Sequence, residues 1–375
     1  MKAVTPWVLV TVLSVYLSSF SAAGDLPERA GNLLAELADE QNSVGMAVAV
    51  VRDGEVDLIR TYGRLSADTD RLVNEDTVFR IASLSKGMTA SVVAQLVGEE
   101  KVALTAHARD FAPEIQLETS GATEALTLEH LLSHRTGLPP YAYDNLLEAG
   151  IPPLDIRHRY AEVSSICPVG TCYSYQNVLF DAVTPLIEQV EERALASSLE
   201  ARLFSPLNMT RTSLGTDGLK KDDNWARPHR RRKRGPWHVV GVKQAYYNVP
   251  AAGGVNSSIR DMARWLRAQM GYEQAVLSQD ELALIHAPRV KTLAELRRTR
   301  RSMRKLESAH YGLGWRIYRF AGESVVSHFG GVDGGYLAQL SFMPEHDVGI
   351  VLLTNSPSKA FMKVLPTFLE EELKL

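Results

Sequence analysis

The sequence predicts an α+β fold, because strand-like segments lie at both ends of the chain and helices lie between them. Residues 44–51 and 56–62 are predicted strands, and Asp53-Gly54 between them is typical of a hairpin turn. From residue 101 to about 161 the pattern is one of helices and loops. Strands return in the C-terminal part, at 313–318, 324–328, 335–343 and 347–354. A closing helix over about 360–373 is predicted to face the sheet with Phe361, Val364, Leu365 and Phe368.

The first 23 residues stand apart from the rest of the chain. Lys2 precedes an apolar run from Ala3 to Phe20, and the small residues Ser21-Ala22-Ala23 follow it. This pattern predicts a cleaved signal peptide over 1–23 and a mature chain over 24–375 that is secreted or periplasmic. An uncleaved membrane anchor is the alternative, because the run is near the lower length limit for a span. No transmembrane segment is predicted in the mature chain.

The charge balance argues against one class of partner. The 375 residues are 45% hydrophobic and 23% charged, as in an ordinary globular protein. Without residues 1–23 there remain 40 basic and 44 acidic residues, a net charge of −4, so no nucleic-acid partner is predicted. Two local clusters, Arg227–Arg234 and Arg297–Lys305, are basic. In the simpler interpretation these clusters are solvated surface. In the alternative interpretation they bind an anionic envelope polymer or lipid headgroups.

The segment Phe79–Lys86 and the apolar run behind it carry the strongest chemical signal. Ser83 and Lys86 are three residues apart, so in the first turn of a helix both side chains share one face. The run through Val97 has almost no polar face, which predicts a buried helix that ends near Gly98. Burial lowers the pKa of a lysine, and a neutral amine can take the proton of a serine hydroxyl.

The Ser-x-x-Lys pattern alone is weak evidence. It occurs again at Ser302–Lys305 and Ser356–Lys359, but only Ser83 has a strand-like lead-in and a buried helix behind it. A plain helix N-cap is the alternative interpretation of Ser83.

Two pairs in the middle of the chain suggest structural roles. His130 and His134 are four apart on one predicted helix face, but Leu131 stands where a His-Glu-x-x-His zinc enzyme needs Glu, so a structural pair is favoured over metal ligands. Cys167 and Cys172 are expected either to form a disulfide or to remain two buried thiols.

Tyr175 and Asn177 lie in a predicted loop that leads into an apolar helix, with both polar groups on one side. A tyrosinate beside a lysine ammonium can act as a general base, because the positive neighbour lowers its pKa. Ordinary tyrosine packing with an Asn helix cap is the alternative.

Two glycine-rich segments follow. Pro250–Ser258 is predicted to be a turn that opens a helix over 259–270, with Ser257 or Ser258 as its cap. His328-Phe329-Gly330-Gly331 is predicted to stand at a strand end, where the glycines let the backbone approach a ligand and the histidine can donate a hydrogen bond or carry charge.

Taken in order, Ser83-x-x-Lys86, Tyr175-x-Asn177 and His328-x-Gly330 resemble the three motifs of the penicillin-recognising serine hydrolases. The likeness is to the branch with class C β-lactamases, DD-peptidases, D-aminopeptidases and related esterases, and it covers nearly the whole mature chain. Further stretches similar to this family are Thr77–Lys86, Leu131–Pro139, Pro250–Gly254 and Gly349–Asn355.

This resemblance implies a β-lactamase/transpeptidase-like fold, in which helices flank an antiparallel sheet and a mainly helical subdomain is inserted. The sheet part is then expected over about 24–80 plus about 250–375, and the helical part over about 81–249. Ser83 would be the acylated nucleophile, and Lys86 and Tyr175 would share proton transfer. The expected substrate-binding residues are Asn177, His328, Gly330 and Gly331, with the N–H groups of Ser83 and Gly331 as an oxyanion hole. No metal or cofactor is expected.

His328 stands where many relatives have Lys, and that lysine is the commoner partner of a β-lactam carboxylate. We therefore predict an exported serine hydrolase that forms a Ser83 acyl-enzyme on amide or ester bonds. Its expected substrate is a small molecule or peptide of D-amino-acid character, such as a peptidoglycan-derived peptide. The alternatives are a β-lactamase, a carboxylesterase, a non-enzymatic sensor of β-lactams or wall fragments, and an envelope scaffold that uses Arg227–Arg234.

Overall fold

An eight-stranded antiparallel sheet organises the protein, in the order β2-β1-β13-β12-β11-β10-β9-β8. The computed structural model describes residues 26–38, 43–232, 235–332 and 335–375, so the predicted signal peptide, residues 1–23, lies outside the described residues. The strands of this sheet are β1 (Gly45–Arg52), β2 (Glu55–Gly63), β8 (Val290–Lys291), β9 (Leu306–Tyr311), β10 (Arg316–Phe320), β11 (Glu323–Val332), β12 (Tyr336–Met343) and β13 (Val348–Thr354). The strands of two smaller sheets are β3 (Phe79–Arg80), β4 (Ser213–Leu214), β5 (His229–Arg230), β6 (His238–Val239) and β7 (Val255–Ser257).

Strands from the N-terminal and C-terminal parts of the chain pair with each other near one edge of the large sheet. Strand β1 pairs with β13 from Met46 opposite Thr354 to Arg52 opposite Val348. On its other edge β1 pairs with β2, the return strand of the predicted hairpin. This sheet, with helices flanking it, confirms the predicted α+β fold of the β-lactamase/transpeptidase type.

Helices cover both faces of the sheet. The α-helices of the described chain are α1 (Glu28–Ala38), α2 (Ser85–Gly98), α3 (Ala122–Ala125), α4 (Leu128–Leu132), α5 (Asp144–Glu148), α6 (Pro153–Arg157), α7 (Val178–Asp181), α8 (Val183–Glu191), α9 (Leu195–Leu199), α10 (Gly215–Leu219), α11 (Pro250–Gly253), α12 (Ile259–Gln269), α13 (Gln279–His286), α14 (Leu293–Thr299) and α15 (Val364–Glu372). The β1 side chains alternate between two apolar cores, with Ala47 and Ala49 in the inner core and Met46 and Val48 in the outer core.

The inner core holds the helix that the sequence singled out. Every α2 residue from Ser85 to Leu96 is buried, and the helix ends at Gly98 as predicted. The outer core is closed by α1 and α15. The four predicted contact residues of the closing helix are all buried there, although the first of them, Phe361, lies in a 3₁₀ turn just before α15. Ser258 caps α12, as one of the two predicted candidates.

The C-terminal strands extend further than the sequence indicated. Strands β8 and β9 occupy a region to which no strand was assigned. The segment from His328 to Gly331 lies in the C-terminal part of β11, one residue before the strand ends at Val332. The strand predicted over 324–328 therefore continues through these residues. Gly330 and Gly331 remain paired with Ala338 and Leu337 of β12, because glycine keeps both backbone hydrogen-bonding groups.

A disulfide joins Cys167 to Cys172 in the loop that leads to Tyr175. Of the two expectations for these cysteines, a disulfide or two buried thiols, the structure shows the disulfide.

Within the described ranges, no helix combines the length and apolar character that a membrane crossing requires.

The basic cluster Arg227–Arg234 is partly engaged in local contacts. Arg227 donates to the Trp225 carbonyl at 2.8 Å and packs over the Trp225 ring, and Arg231 lies over the Trp237 ring. The last two residues of the cluster, 233 and 234, are outside the described residues. Contact of this cluster with an anionic envelope stays a prediction.

Candidate active site

The chain turns sharply just before Ser83. Ala82 adopts a left-handed backbone conformation with φ of 49°, which costs a non-glycine residue about 1–2 kcal/mol. A 3₁₀ turn over Ala82–Leu84 follows, and α2 begins only at Ser85. Ser83 therefore lies in this turn rather than in the first turn of α2. The N-cap of α2 is Leu84, so the alternative interpretation of Ser83 as a plain helix cap is not supported.

Lys86 lies completely buried beneath Ser83. Its Nζ is 3.4 Å from Ser83 Oγ, 2.8 Å from Asn177 Oδ1 and 2.9 Å from the Ala252 carbonyl oxygen. The last two atoms come from distant parts of the chain, at the start of α7 and in α11. The structure thus brings the first two sequence motifs together around one amine.

The electrostatic surroundings of Lys86 favour its neutral form. Burial lowers its pKa well below the ordinary lysine value, since an ammonium loses its hydration there. The carboxylates of Asp144 and Asp181 act in the opposite direction, and the Arg316 guanidinium lowers the pKa further. A neutral amine next to a serine hydroxyl can act as a general base.

Asn177 bridges Lys86 and a buried carboxylate. Its Oδ1 accepts from Lys86 Nζ, and its Nδ2 donates to Asp144 Oδ2 at 2.7 Å. The side chain makes no cap hydrogen bond to α7, so the interpretation of Asn177 as an ordinary helix cap is not supported.

Tyr175 lies on the other side of the serine. Its side chain lines the same pocket as Ser83, and Lys86 Nζ is 4.7 Å from the centre of its ring. Burial raises the pKa of Tyr175 above the ordinary tyrosine value, and the opposing effect of Arg316 is smaller. The burial of Tyr175 thus favours the neutral phenol over a tyrosinate.

Strand β11 passes close to the turn that carries Ser83. A Cβ atom at Gly330 would lie 2.0 Å from the Ile81 carbonyl oxygen and 2.9 Å from Ser83 N, so only glycine fits. The close approach at Gly330 is thus to the protein's own backbone. Gly331 lines the pocket in front of Ser83. The substrate-binding roles of both glycines, and the oxyanion hole, stay predictions.

His328 is fully buried and is not part of the pocket wall. Its Nε2 lies 2.9 Å from Arg316 Nη1 and 3.0 Å from the Tyr311 hydroxyl, and its Nδ1 lies 2.9 Å from the Phe329 carbonyl oxygen. Because arginine only donates, Nε2 must accept and the proton must be on Nδ1. Burial lowers the pKa of His328 well below its ordinary value, in agreement with this neutral tautomer. Its role toward a substrate stays a prediction.

Arg316 reaches the pocket where His328 does not. This guanidinium is buried, pairs through Nε with Glu295 and lies over the Phe329 ring at 4.4 Å. Within the described part of the chain, its Nη2 has no hydrogen-bond partner. Sequence reasoning missed Arg316, although a charged residue inside a predicted apolar strand is a signal that could have found it.

The pocket has a cavity volume of about 140 Å³ and combines aromatic and polar groups. Its wall consists of Ala82, Ser83, Tyr141, Tyr175, Asn177, Tyr246, Ala252, Gly253, Arg316, Phe329, Gly331 and Val332. Ser83 and the Tyr175 phenol belong to this wall, and Lys86 lies behind Ser83 with Nζ 3.4 Å from Oγ. This arrangement suits nucleophilic attack on a carbonyl carbon.

His130 and His134 take different positions. His130 Nδ1 accepts from Thr127 N at 3.2 Å, in the imperfect capping box at the start of α4. His134 is buried, accepts from Gln176 N at 3.2 Å and packs against the Tyr175 ring with centroids 4.3 Å apart. In the described residues no group of three or more His, Cys, Asp or Glu is arranged to hold a metal ion. His134 thus supports the tyrosine from behind.

Comparisons with known proteins show the family of this chain. The beta-lactamase family model matches residues 30–373. The unguisins hydrolase ungD' of Aspergillus campestris is 26% identical over 91% of this chain, and the chain spans 64% of that protein's length. The D-alanyl-D-alanine-carboxypeptidase/endopeptidase AmpH of Escherichia coli is 24% identical, with 92% of this chain and 90% of AmpH covered.

A solved structure shows the same fold. The octameric penicillin-binding protein homologue from Pyrococcus abyssi superimposes with a TM-score of 0.79 and 23% identity, over 91% of this chain and 77% of that one. Because the family model matches nearly the whole chain and the fold is shared, this chain belongs to the beta-lactamase family.

Proposed function

We propose that this protein is an exported hydrolase that forms an acyl-enzyme on Ser83 and cleaves amide or ester bonds, with a peptide of D-amino-acid character as substrate. The observation that carries the proposal is the position of Lys86, which is fully buried with Nζ 3.4 Å from Ser83 Oγ. A lysine held in this way is suited to accept the serine proton at neutral pH.

The acylation step follows from this arrangement. Ser83 Oγ attacks the substrate carbonyl carbon while its proton passes to Lys86 Nζ. The backbone N–H groups of Ser83 and Gly331 stabilise the oxyanion. When the tetrahedral intermediate collapses, the leaving nitrogen or oxygen receives the proton from Lys86 through the Tyr175 hydroxyl. The Tyr175 side chain lines the pocket with Ser83, and its ring centre lies 4.7 Å from Lys86 Nζ. Water then attacks the ester, Lys86 again accepts a proton, and Ser83 is released as the hydroxyl.

Arg316 supports a substrate with a carboxylate group. Its buried guanidinium lies on the pocket wall with Nη2 available, and arginine is well suited to bind carboxylates. The available guanidinium favours a carboxypeptidase-like substrate, which carries a C-terminal carboxylate, over an aminopeptidase-like one. The similarity to AmpH supports the same choice. A β-lactam also carries a carboxylate, so β-lactamase activity is the second candidate. A carboxylesterase substrate has no free carboxylate for Arg316 to bind, so Arg316 does not favour this alternative.

The test is the intact mass of the protein after brief incubation with a fluorescent penicillin, with Ser83→Ala as the matched control. A one-equivalent adduct on the wild type only, cleared with turnover, means β-lactamase chemistry at Ser83. An adduct that persists means a DD-peptidase or a sensor. Absence of an adduct together with Ser83-dependent cleavage of D-alanyl amides or p-nitrophenyl esters indicates the aminopeptidase or esterase branch.

One result contradicts the proposal. If Ser83→Ala matches the wild type in adduct formation and in every cleavage assay, Ser83 is not the nucleophile. The export part has a separate readout, since expression with residues 1–23 and N-terminal sequencing of the product would show whether cleavage occurs after Ala23.

A further inference from the structure

A buried carboxylate lies behind Asn177. Asp144, the first residue of α5, is 7% exposed, and its Oδ2 accepts from Asn177 Nδ2 at 2.7 Å. In the described chain its Oδ1 is buried without a hydrogen-bond partner. Tyr141 and Tyr143 just before it both adopt left-handed backbone conformations, with φ of 57° and 62°. Such strained residues concentrate at functional sites, where the surrounding structure holds them.

Asp144 decides which way the Asn177 amide points. A carboxylate only accepts hydrogen bonds, so the atom of Asn177 that faces it must be the NH₂ group. The amide oxygen is then directed to Lys86 Nζ, 2.8 Å away. Without an obligatory acceptor at position 144, the two orientations of the amide would be closer in energy.

The orientation of this amide determines the direction of the lysine lone pair. A neutral amine has two hydrogens and one lone pair in a roughly tetrahedral arrangement. Two carbonyl oxygens take the hydrogens of Lys86, Asn177 Oδ1 at 2.8 Å and Ala252 O at 2.9 Å. The remaining neighbour is Ser83 Oγ at 3.4 Å, which is therefore the atom that the lone pair faces.

We propose that Asp144 is a positioning residue: by holding Asn177 with its oxygen toward Lys86, it directs the Lys86 lone pair at Ser83. The inference rests on the proposed function of Ser83 and Lys86. If the Asn177 amide were reversed, its NH₂ group would donate to Lys86 and turn the lone pair away from the serine.

Asp144 also acts on Lys86 through its charge. Its carboxylate raises the pKa of Lys86, against the larger effect of burial. The other titratable or charged groups that face Lys86 are Asp181 from α7, Arg316 from β10, His328 from β11, and His134 and Tyr175 from the loops around α4 and α7. Loss of the Asp144 charge alone therefore moves the pKa of Lys86 down.

The test compares Asp144→Asn with the wild type in single-turnover acylation between pH 5 and 9, with a p-nitrophenyl ester and a fluorescent penicillin as probes. Acylation is expected to fall about 10- to 100-fold at its optimum, because a misdirected base loses the reactive geometry. The acidic limb of the profile is expected to shift to lower pH. Asp155→Asn is the matched control, since it removes an exposed carboxylate from the neighbouring helix α6. Glu148 is unsuitable, because it accepts from the Tyr246 hydroxyl at 2.8 Å and Tyr246 also donates to Asp144 Oδ2 at 3.5 Å.

A second variant separates geometry from folding. In Asp144→Asn/Asn177→Asp the carboxylate at 177 again offers only acceptors to Lys86, and the amide at 144 can donate to it. This swap is expected to acylate faster than Asp144→Asn at high pH, with its acidic limb above that of the wild type, because the charge is closer to Lys86.

Two outcomes overturn the inference. One is an Asp144→Asn profile that superimposes on that of Asp155→Asn. The other is a result with the folded double variant Asp144→Asn/Asn177→Asp: acylation no faster than that of Asp144→Asn. If Asp144→Asn does not fold, the comparison is with Ser83→Ala, and acylation no faster than that of Ser83→Ala overturns the inference. Failure of the proposed function is distinct from both, since it would appear as full activity in Ser83→Ala.

Discussion

Lys86 must meet two opposing requirements: burial that lowers the pKa of its amine, and hydrogen-bond partners for that buried amine. Its burial lowers the pKa of the amine, while two fixed carbonyl acceptors keep it hydrogen-bonded in a place where an unsatisfied amine would be costly. The apolar run of α2 indicated the burial, and the family resemblance implied that Asn177, 91 residues further along the chain, orients Lys86. The second acceptor, the Ala252 carbonyl 166 residues away, was not anticipated.

At Gly330 the requirement is steric. Gly330→Ala is expected to lower the free energy of unfolding by about 1–3 kcal/mol and to reduce acylation, because the new Cβ would lie 2.0 Å from the Ile81 carbonyl oxygen and push β11 away from Ser83. Urea denaturation and single-turnover acylation would measure both effects.

The matched control is Gly331→Ala, whose Cβ would meet only Leu337 Cδ1, at an ordinary distance of 3.6 Å. It is expected to leave the free energy of unfolding within about 0.5 kcal/mol of the wild type. Equal stability of the two variants would mean that the close approach at Gly330 is not required.

Among the elements, the loop from Cys167 to Tyr175 has a covalent constraint. The disulfide closes a loop with a sequence separation of five, three residues before Tyr175. Its removal is expected to lower the free energy of unfolding by about 2 kcal/mol, because the constraint on the unfolded chain is lost. Denaturation with and without reductant would show the difference.

The control for this experiment is the Cys167→Ser/Cys172→Ser variant, which should be as unstable as the reduced wild type and should not respond to reductant. If reductant destabilises that variant equally, the loss comes from somewhere other than this disulfide.

How well the elements could be predicted depended on their local signals. The β1–β2 hairpin follows from its Asp-Gly turn, and α2 from its long apolar run. Strands β8 and β9 were not predicted, because polar residues interrupt their apolar pattern. They are held by pairing, of β8 with β9 and of β9 with β10, which no recognised turn motif announced. The start of α2 was placed too early, since a 3₁₀ turn with a left-handed Ala82 leaves no mark in the residue pattern.

On the scale of the whole molecule, the sheet separates two apolar cores that pack against different elements. The inner core holds α2 and the site, and the outer core is closed by α1 and α15. Phe368→Ala in the outer core is expected to lower the free energy of unfolding by about 3–5 kcal/mol, because the residue is 1% exposed and leaves a cavity. Urea denaturation would measure this loss.

The same variant should keep the wild-type acylation rate while folded, because its cavity lies on the face of the sheet away from Ser83. Met362→Ala, at a position 37% exposed, is the control and should change stability little. A folded Phe368→Ala with a clearly altered acylation rate would mean that the two cores are coupled.

The sequence by itself determined the α+β order of elements, the buried helix behind Ser83 and the three motifs that indicate a serine hydrolase. These properties reside in short segments whose spacing and polarity can be read locally. Only the tertiary structure decided that Arg316 rather than His328 lines the pocket, that Asp144 stands behind Asn177, and that Asn177 and Ala252 supply the hydrogen-bond acceptors of Lys86. Each of these depends on burial and on contacts between segments far apart in the chain, which the pattern of neighbouring residues does not encode.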